Sequence, residues 1–445
     1  MTRKKIESAD IRENPRSNLL LIRGGRLVDP AQNLDTPMDV LLRDGRVAEV
    51  ATAGKIKPTA DTDVLDANGL VVAPGFIDLH VHLREPGQAH KESIATGTAA
   101  AAAGGFTSVC AMPNTSPIND LPAMTRWMQE PERGAVVNVF PVAAATIASQ
   151  GEQLTDYFAL AMAGAVGITD DGKPLADDRI MREALRAAVQ ANLPIMQHSE
   201  DKRLSEGGVM HEGAKSFLLG LHGMPAHAES GMVERDIELA NEIGARLHVT
   251  HLSVAASLEA VRRGKRAGVQ LTCEVTPHHF TLTDDDMVPY DTRFKVNPPL
   301  RSAADREAVL EGLADGSVDA IATDHAPHAV YEKAVEFDRA PFGLTGLETA
   351  LGLAITKLHV ERSVPLTRIV ELLSTNPARI IGKRDRGTLA PGSVADVTLF
   401  DPNRKWTFEA AKSRSKSHNT PFDDWKLTGK VMATIVGGRV VYRAE

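Results

Sequence analysis

The chain has little of what marks several common protein classes. Its two cysteines among 445 residues, Cys110 and Cys273, cannot support a disulfide framework, and their apolar surroundings predict small buried side chains. Aromatic residues make up 4% and the formal net charge is −8, which argues against the basic grooves and stacking platforms of nucleic-acid binders. No apolar run has the length of a membrane helix, and the N-terminus lacks the apolar core of a secretory signal. We therefore expect a cytoplasmic protein that binds neither nucleic acid nor membranes.

The apolar residues that are present follow two different patterns. Both ends contain short strand-like segments separated by turn residues, at 24–25, 44–45 and 437–438. The middle alternates strands and helices. Its strand candidates are 71–82, 107–114, 136–144, 165–171, 194–200, 246–253, 270–276 and 320–324, and its helical patterns include 91–103, 178–191, 229–242, 254–267 and 303–314. Eight strands with intervening helices predict an α/β fold, a (β/α)8 TIM-like barrel. The alternative, an open doubly wound sheet, would place a Gly-rich dinucleotide loop after a strand, and the sequence has none.

These patterns divide the chain into three parts. Residues 1–18 are polar and mixed in charge, and we interpret them as an N-terminal extension. Residues 19–73 and 386–445 are both β-rich, so they are predicted to form one composite β-sandwich domain from the two termini. Residues 74–385 form the predicted barrel.

The most informative segment is GFIDLHVH, residues 75–82. His80 and His82 are two residues apart on a predicted strand, so their side chains point the same way. The polar Arg84 follows directly, which indicates that the strand ends there. Two imidazoles aimed at one point favour a metal site, since imidazole is a common ligand of zinc and its neighbours. The alternative is a pair of hydrogen-bonded core histidines.

The remaining barrel strands favour the metal interpretation. In a barrel the carboxyl ends of the strands converge on one face, where active sites lie. Besides the two histidines of the first strand, polar residues stand at this end of four further strands. They are Asp170 and Asp171, His198, His251, and Asp324. Histidines and carboxylates in these positions can hold two divalent ions, with one carboxylate bridging them.

The chain resembles class I dihydroorotase, a cyclic-amide hydrolase of pyrimidine synthesis in the amidohydrolase superfamily. The resemblance extends from about residue 19 to the end. The motifs that carry it are 74–82 and 80–87 (HVHLREPG), 112–115 (MPNT), 169–172 (TDDG), 251–253 (HLS), 295–301 (KVNPPLR), 322–328 (ATDHAPH), 340–344 (APFGL) and 389–396 (LAPGSVAD).

The resemblance implies a role for each candidate ligand. His80 and His82 would bind one Zn²⁺ and His198 and His251 a second, with Asp171 between them and Asp324 as both ligand and proton carrier. Many relatives use a carbamylated lysine of strand 4 as the bridge, but residues 165–171 contain no lysine, and Lys173 lies past the turn. The choice of Asp171 rests on family spacing, so Asp170 stays an alternative.

The resemblance also implies how the substrate is recognised and transformed. Arg84 offers a planar fork for the substrate carboxylate. The other implied substrate contacts are His82, Asn114, Asn297, His328, Phe342 and Gly343. A metal-bridged hydroxide would attack the ring amide of (S)-dihydroorotate and Asp324 would shuttle the proton, giving N-carbamoyl-L-aspartate reversibly in de novo pyrimidine biosynthesis.

Several alternatives stay open at this stage. A hydantoinase or allantoinase would share fold and metals, although Arg84, Asn114 and the missing lysine argue against it. A non-catalytic subunit of an aspartate transcarbamoylase complex would be expected to lack the ligands. The expected partners are the small-molecule substrate and, on the protein side, a second copy in a homodimer or an aspartate transcarbamoylase. Of the other histidines, one of His278 and His279 is expected at the mouth of the barrel, with His248 on a strand and His325 behind the site.

Overall fold

The computed structural model describes residues 18–445. The predicted polar extension therefore lies outside the described residues, apart from Asn18. Eighteen strands are present in this part of the chain: β1 (Leu19–Asp29), β2 (Leu34–Arg43), β3 (Arg46–Thr52), β4 (Asp63–Asp66), β5 (Val71–Pro74), β6 (Phe76–Val81), β7 (Phe106–Ala111), β8 (Asn138–Ala143), β9 (Gly167–Ile168), β10 (Ile195–Gln197), β11 (Met210–His211), β12 (Gly223–Met224), β13 (Leu247–Val249), β14 (Leu271–Val275), β15 (Ala320–Ile321), β16 (Val397–Thr407), β17 (Lys426–Val436) and β18 (Arg439–Arg443).

The α-helices lie mostly between the strands of the middle region. They are α1 (Ile94–Ala103), α2 (Pro122–Trp127), α3 (Tyr157–Met162), α4 (Asp178–Ala191), α5 (Lys202–Ser205), α6 (Ala214–Leu219), α7 (His227–Ile243), α8 (Ala255–Arg266), α9 (Pro277–Thr281), α10 (Ala303–Asp315), α11 (Val330–Lys333), α12 (Ala350–Ala354), α13 (Leu366–Val370) and α14 (Asn376–Ile380). Helices α12 and α13 continue as π-helical segments, Ile355–Val360 and Glu371–Thr375. Within residues 18–445, no helix combines the length and the apolarity that crossing a membrane requires.

Helix α4 shows why the longer helices form where the sequence predicts them. The Asp177 side chain accepts hydrogen bonds from the first free backbone N–H groups, and the helix ends where Asn192 takes the left-handed conformation. Between these ends, Ile180, Ala184 and Ala188 recur every four residues and are buried against the barrel. The predicted bounds of this helix, 178–191, are confirmed.

The predicted barrel is confirmed. The parallel strands follow the order β6-β7-β8-β9-β10-β13-β14-β15. A parallel bridge between Val81 and His325 joins the first strand to the segment after the last, and the His82 N–H donates to the His325 carbonyl oxygen over 2.9 Å. Several strands are shorter than predicted because their polar last residues leave the ladder and turn into the loops above it. Those residues form the site described below.

The terminal segments form one sheet, in the order β18-β17-β16-β5-β1-β2-β3, with β4 paired to β1. Strand β5 lies between β1 and β16, so it joins the two ends of the chain. Apolar residues of both ends, including Leu20, Val40, Leu399 and Ile435, pack in one core. A small sheet built from both termini agrees with the predicted fold class, whereas the exact domain boundaries stay a prediction.

Two local predictions were wrong. The segment 71–82 is not one strand: it divides at Gly75, where a Cβ atom would lie 2.2 Å from the Thr107 hydroxyl oxygen, and its first half joins the terminal sheet. The pair Gly24-Gly25 is not a turn between strands but a bulge inside β1, since the register shifts between Ile22 and Gly25. By contrast, Asp44 and Gly45 both have positive φ, 49° and 74°, and form the predicted tight turn between β2 and β3.

Cys110 and Cys273 are buried and free, as expected.

Candidate metal centre and substrate pocket

The structure brings the six predicted ligands together at the carboxyl ends of the barrel strands. His80 lies near the end of β6 and His82 directly follows that strand, Asp171 and His198 follow β9 and β10, and His251 and Asp324 follow β13 and β15. All six residues, which we call the histidine–aspartate cluster, are at most 8% exposed. His251 and Asp324 have φ values of 34° and 46°, in the left-handed region that ordinary residues rarely adopt. Strained backbone at two such positions is typical of functional sites.

Asp171 lies at the centre of this cluster. Its Oδ1 atom is 3.5 Å from His80 Nε2, 3.8 Å from His198 Nδ1 and 3.8 Å from His251 Nε2. Its Oδ2 atom is 3.7 Å from His82 Nε2. Two ligand atoms that share one zinc ion at about 2.0–2.2 Å lie roughly 3–4 Å apart. The spacing therefore suits a shared cation better than direct hydrogen bonds.

Asp324 also lies close to His80 and His82. Its Oδ1 atom is 3.1 Å from His82 Nε2 and 3.6 Å from His80 Nε2. Two compact groups can hold a metal, one of His80, His82 and Asp324 and one of His80, Asp171 and His251. His80 belongs to both groups. His198 belongs to neither, but its Nδ1 atom is 2.9 Å from His251 Nε2. The predicted pairing of His198 with His251 on one ion stays a prediction.

The electrostatics of the cluster fit a cation. Burial disfavours a charged His80, but Asp171, Glu274 and Asp324 outweigh burial and hold the pKa of its imidazole well above the ordinary value. Burial likewise raises the pKa of the Asp171 carboxyl, but the surrounding histidines pull it well below the usual range. Among residues 18–445, His80 Nε2 has no hydrogen-bond partner although it is buried. A buried lone pair that faces carboxylates is what a metal ion would satisfy.

The neighbouring Asp170 is engaged elsewhere. Its Oδ1 atom accepts hydrogen bonds from the backbone N–H groups of Ala145 and Thr146, at 2.9 and 3.1 Å, and its Oδ2 atom accepts one from the Thr146 hydroxyl. Its carboxylate is thus used by the loop after β8. The geometry favours Asp171 as the central carboxylate. The Lys173 side chain is exposed, so it does not occupy the position of a bridging lysine.

Arg84 and His328 form a second, positively charged part of the site, the Arg84 pocket. The Arg84 side chain is 9% exposed, and its Nε–H donates to the Pro327 carbonyl oxygen over 3.1 Å. Within the described part of the chain, no carboxylate lies within salt-bridge distance of its guanidinium. A buried guanidinium without an acidic partner is suited to an anionic ligand.

His328 is held neutral beside Arg84. Burial and the charges of Arg84, Lys333 and Lys91 lower the pKa of its imidazole to about 2. Its Nε2–H donates to the Phe342 carbonyl oxygen over 2.8 Å, so Nδ1 is the acceptor that faces Lys91 Nζ at 3.5 Å. The Arg84 Nη2 atom, 3.3 Å from His328 Nε2, consequently has no acceptor there. Part of its donor capacity is free for a ligand.

The other predicted substrate contacts occupy more varied positions. The Asn114 amide is used on both sides: its oxygen accepts from His82 Nδ1 at 2.9 Å and its nitrogen donates to Asp171 Oδ2 at 3.1 Å. Asn297 donates to Glu200 Oε2 over 2.9 Å. Gly343, with φ of 127°, donates its N–H to the Lys295 carbonyl oxygen over 2.9 Å. Asn114 and Asn297 therefore support the histidine–aspartate cluster, and their direct contact with substrate stays a prediction.

Three residues of the site were missed from the sequence. Glu200 accepts from His198 Nε2 at 2.9 Å, and Glu274 accepts from His80 Nδ1 at 3.3 Å. Glu274 carried a signal, a single charge inside an apolar strand. Asn419 carried none: its side chain accepts from the His328 N–H at 3.0 Å and donates to the Gly343 carbonyl oxygen at 3.1 Å, from the connection between β16 and β17.

The remaining histidines near the barrel mouth are buried. The His279 ring nitrogens contact Thr276 Oγ1 at 2.7 Å and the Pro298 carbonyl oxygen at 3.0 Å. His278 Nε2 is buried and has no hydrogen-bond partner among residues 18–445. His325 Nε2 is 3.3 Å from Glu92 Oε2, and its Nδ1 accepts from the Gly346 N–H at 3.2 Å. His325 thus lies behind the site, where it links the loop after β15 to its surroundings.

Known proteins resemble the chain over most of its length. A family model described as Dihydro-orotase-like matches residues 69–257. The dihydroorotase of Solibacter usitatus is 51% identical, over 94% of this chain and 97% of that protein. The dihydroorotase of Pelotomaculum thermopropionicum is also 51% identical, over 95% of this chain and 98% of that protein. Among solved structures, the L-hydantoinase (dihydropyrimidinase) of Arthrobacter aurescens superposes with a TM-score of 0.85 at 25% identity, covering 95% of this chain and 96% of that one.

Proposed function

The chain belongs to the dihydroorotases, and from this premise we propose that its histidine–aspartate cluster opens and closes the ring of (S)-dihydroorotate. The reaction interconverts dihydroorotate and N-carbamoyl-L-aspartate, the cyclic-amide chemistry of pyrimidine synthesis. The observation that carries the proposal is the placement of the cluster beside a buried arginine that lacks an acidic partner. One part suits a metal and the other suits the substrate carboxylate.

We assign two Zn²⁺ ions to the cluster. His80, His82, Asp171, His198, His251 and Asp324 would hold them, since imidazole nitrogen and carboxylate oxygen are the donors that zinc prefers outside thiolate sites. Bound there, such ions polarise a carbonyl group and lower the pKa of water. The buried Nε2 atom of His80 and the excess of carboxylates around it support this assignment.

Asp324 moves the proton in this proposal. Burial raises the pKa of its carboxyl, but His82, His80 and His251 outweigh burial and hold it well below the usual range, so Asp324 is ionised at neutral pH. During hydrolysis water adds to the ring carbonyl carbon and the carbon–nitrogen bond breaks. Asp324 accepts a proton from the attacking water and returns it to the departing ring nitrogen. Ring closure follows the same path in reverse.

Arg84 recognises the carboxylate of the substrate. Its guanidinium carries donors in a planar fork that matches a carboxylate. The loop with His328, Phe342 and Gly343 shapes the remainder of the pocket, where backbone groups would contact the ring amides. Dihydrouracil, which has the same ring without the carboxylate, would leave the buried guanidinium unpaired, so we expect it to be a poor substrate.

One experiment tests the proposal on the isolated chain. Metal content is measured together with the hydrolysis rates of dihydroorotate and dihydrouracil. We expect about two zinc ions per chain and a clear preference for dihydroorotate. Faster hydrolysis of dihydrouracil would favour a hydantoinase instead. Association with a second copy or with an aspartate transcarbamoylase, and a cytoplasmic location, stay predictions.

A further inference from the structure

The barrel interior holds polar side chains that the proposed reaction does not use. Leu247 and Val249 of β13 pack in the outer core between strands and helices, so His248, between them, points into the barrel. The same alternation along β14 directs Thr272 and Glu274 inward. His248 and Glu274 are completely buried.

These side chains form one hydrogen-bonded chain that leads to the candidate metal centre. Thr272 Oγ1 is 2.8 Å from His248 Nδ1. His248 Nε2 is 3.0 Å from Glu274 Oε2, and Glu274 Oε1 is 3.3 Å from His80 Nδ1. Each oxygen of the carboxylate thus has its own imidazole.

The direction of each hydrogen bond follows from the chemistry of the groups. An ionised carboxylate only accepts, so His80 must donate from Nδ1 and His248 from Nε2. His248 Nδ1 is then an acceptor, and the Thr272 hydroxyl donates to it. With Nδ1 committed to Glu274, Nε2 is the ring nitrogen of His80 that would give up its proton to bind a metal, and it is the atom that faces Asp171 and Asp324. Glu274 therefore selects the tautomer of His80 that presents a lone pair to a metal.

Packing alone does not explain a glutamate at this position. The adjacent interior is filled with apolar side chains such as Ile77, Leu79 and Met196, which shows that this barrel can be closed without charge. Burying a carboxylate costs free energy unless it is hydrogen-bonded and paired. A buried carboxylate held between two histidines is instead the arrangement that orients metal-binding imidazoles in proteins.

We propose that Glu274 is a positioning residue of the metal centre, which orients His80 and fixes its tautomer, and that His248 holds Glu274 in turn. The inference rests on the proposed function, because that proposal makes His80 a metal ligand. The far end of this hydrogen-bonded chain lies away from the metal centre, since Thr272 lines a cavity of about 310 Å³ at the opposite end of the barrel, beside Arg246 and Asn376. Substitutions along the hydrogen-bonded chain should therefore lower the zinc affinity less, the farther they lie from His80.

The test measures zinc affinity on metal-free protein by competition with a chelator of known affinity. Glu274→Gln keeps the shape and one acceptor but removes the charge, and we expect its affinity for zinc to fall about 10- to 100-fold. His248→Gln should have a smaller effect, and Thr272→Val the smallest. The unfolding midpoint of each metal-free variant is measured separately, because a merely structural role would change this midpoint and leave the affinity unchanged.

Asp396→Asn is the matched control. Asp396 is also a buried carboxylate, but it contacts Arg386, the Gly437 N–H and Asn138 at the start of β8, at the end of the barrel opposite the cluster. This variant should lose stability and keep its zinc affinity. If Glu274→Gln does not fold, His248→Gln decides the test, since it leaves Glu274 in place without its support.

Two outcomes separate this inference from the proposal on which it rests. If the wild type binds no zinc, or if His80→Ala binds it as tightly as the wild type, the metal site itself is wrong. If His80→Ala loses zinc while folded Glu274→Gln and His248→Gln stay within about twofold of the wild type, the metal site stands and the positioning role is overturned.

Discussion

The two parts of the site shift the pKa of a buried histidine in opposite directions. In the histidine–aspartate cluster, carboxylates hold the pKa of His80 well above its ordinary value despite burial. In the Arg84 pocket, burial and the cations Arg84, Lys333 and Lys91 lower the pKa of His328 to about 2. One region is therefore short of positive charge and the other has an excess of it. This polarity matches a cation on one side and the carboxylate of a small ring on the other.

The two parts are also built differently. The cluster stands on strand ends, where the barrel itself determines position, whereas the Arg84 pocket is assembled from the loops after β6 and β15. Loop groups need support from elsewhere, and Asn419, in the connection between β16 and β17, supplies it. Substitutions should therefore separate chemistry and metal binding, in the cluster, from substrate recognition, in the pocket.

The largest effect is expected for Asp324→Asn in the cluster. Without an ionisable group at this position the proton transfer is lost, so hydrolysis and ring closure should both fall, by about 10²- to 10⁴-fold. The amide is isosteric, so the fold should persist. Rates in both directions, with circular dichroism as the control, check this expectation. Near-normal turnover in either direction would remove Asp324 from the mechanism.

The pH dependence of the wild-type rates also tests whether Asp324 carries the proton. The pKa of Asp324 is held well below its usual range by the histidines around it, so its carboxylate is already ionised at neutral pH and ready for hydrolysis. Ring closure needs a proton on this group, so its rate should fall as the pH rises. Hydrolysis also needs the attacking water to lose a proton, so its rate should instead rise with pH to a plateau. Identical pH profiles in the two directions would contradict this account.

A smaller effect is expected for Arg84→Met in the pocket. Loss of a charge-assisted hydrogen-bonded pair costs about 1.5–3 kcal/mol, or roughly 10- to 150-fold in kcat/KM for dihydroorotate. Zinc content should not change, because the guanidinium hydrogen-bonds the Pro327 carbonyl oxygen and is not one of the proposed ligands. Arg84→Lys serves as the matched variant, since it keeps the charge and removes the planar fork. A loss of zinc in Arg84→Met would show that metal binding in the cluster depends on the Arg84 pocket, and would contradict the separation of the two parts.

Asn419→Ala should have a more modest effect on the same pocket. The substitution leaves the His328 N–H and the Gly343 carbonyl oxygen without partners, at a cost of about 1–2 kcal/mol. We expect KM for dihydroorotate to rise roughly 5- to 30-fold at this cost while kcat changes little. Asn419→Asp, which keeps the acceptor for His328, should lie between the alanine variant and the wild type. A change confined to kcat would show that the pocket does not depend on this support.

The smallest effect concerns stability in acid. His328 is neutral in the folded chain but takes a proton near pH 6.5 when unfolded, because burial and the nearby cations lower its folded pKa to about 2. Below pH 6.5 the unfolded state therefore binds more protons, and folding stability falls as the pH falls. The contribution is about 1.4 kcal/mol per pH unit at most. Urea unfolding of metal-free protein at two acidic pH values should show a shallower loss for His328→Gln.

Much of the cluster could be predicted because its residues obey local rules. The period of a strand places His80 and His82 on one side, and the barrel brings residues such as His251 and Asp324 to the same end. Glu274 was visible as a charge within an apolar strand, but its partners His80 and His248 come from other strands. Asn419 lies 91 residues from His328, and no local pattern connects the two. Contacts of this kind depend on how distant segments meet, which the sequence does not display.

The shared sheet of the two termini has a consequence for how the protein is made. Strand β5 pairs with β1, which precedes it in the sequence, and with β16, which is synthesised only after the whole barrel. Until β16 arrives, one edge of β5 has no partner, while the barrel strand β6 follows directly after it. A nascent chain thus carries an unpaired strand edge while the barrel is being synthesised, and unpaired edges promote wrong association between chains. Synthesis of the segment from β16 to β17 pairs that edge and also delivers Asn419 to the substrate pocket, so the pocket is completed only after the barrel strands have been made.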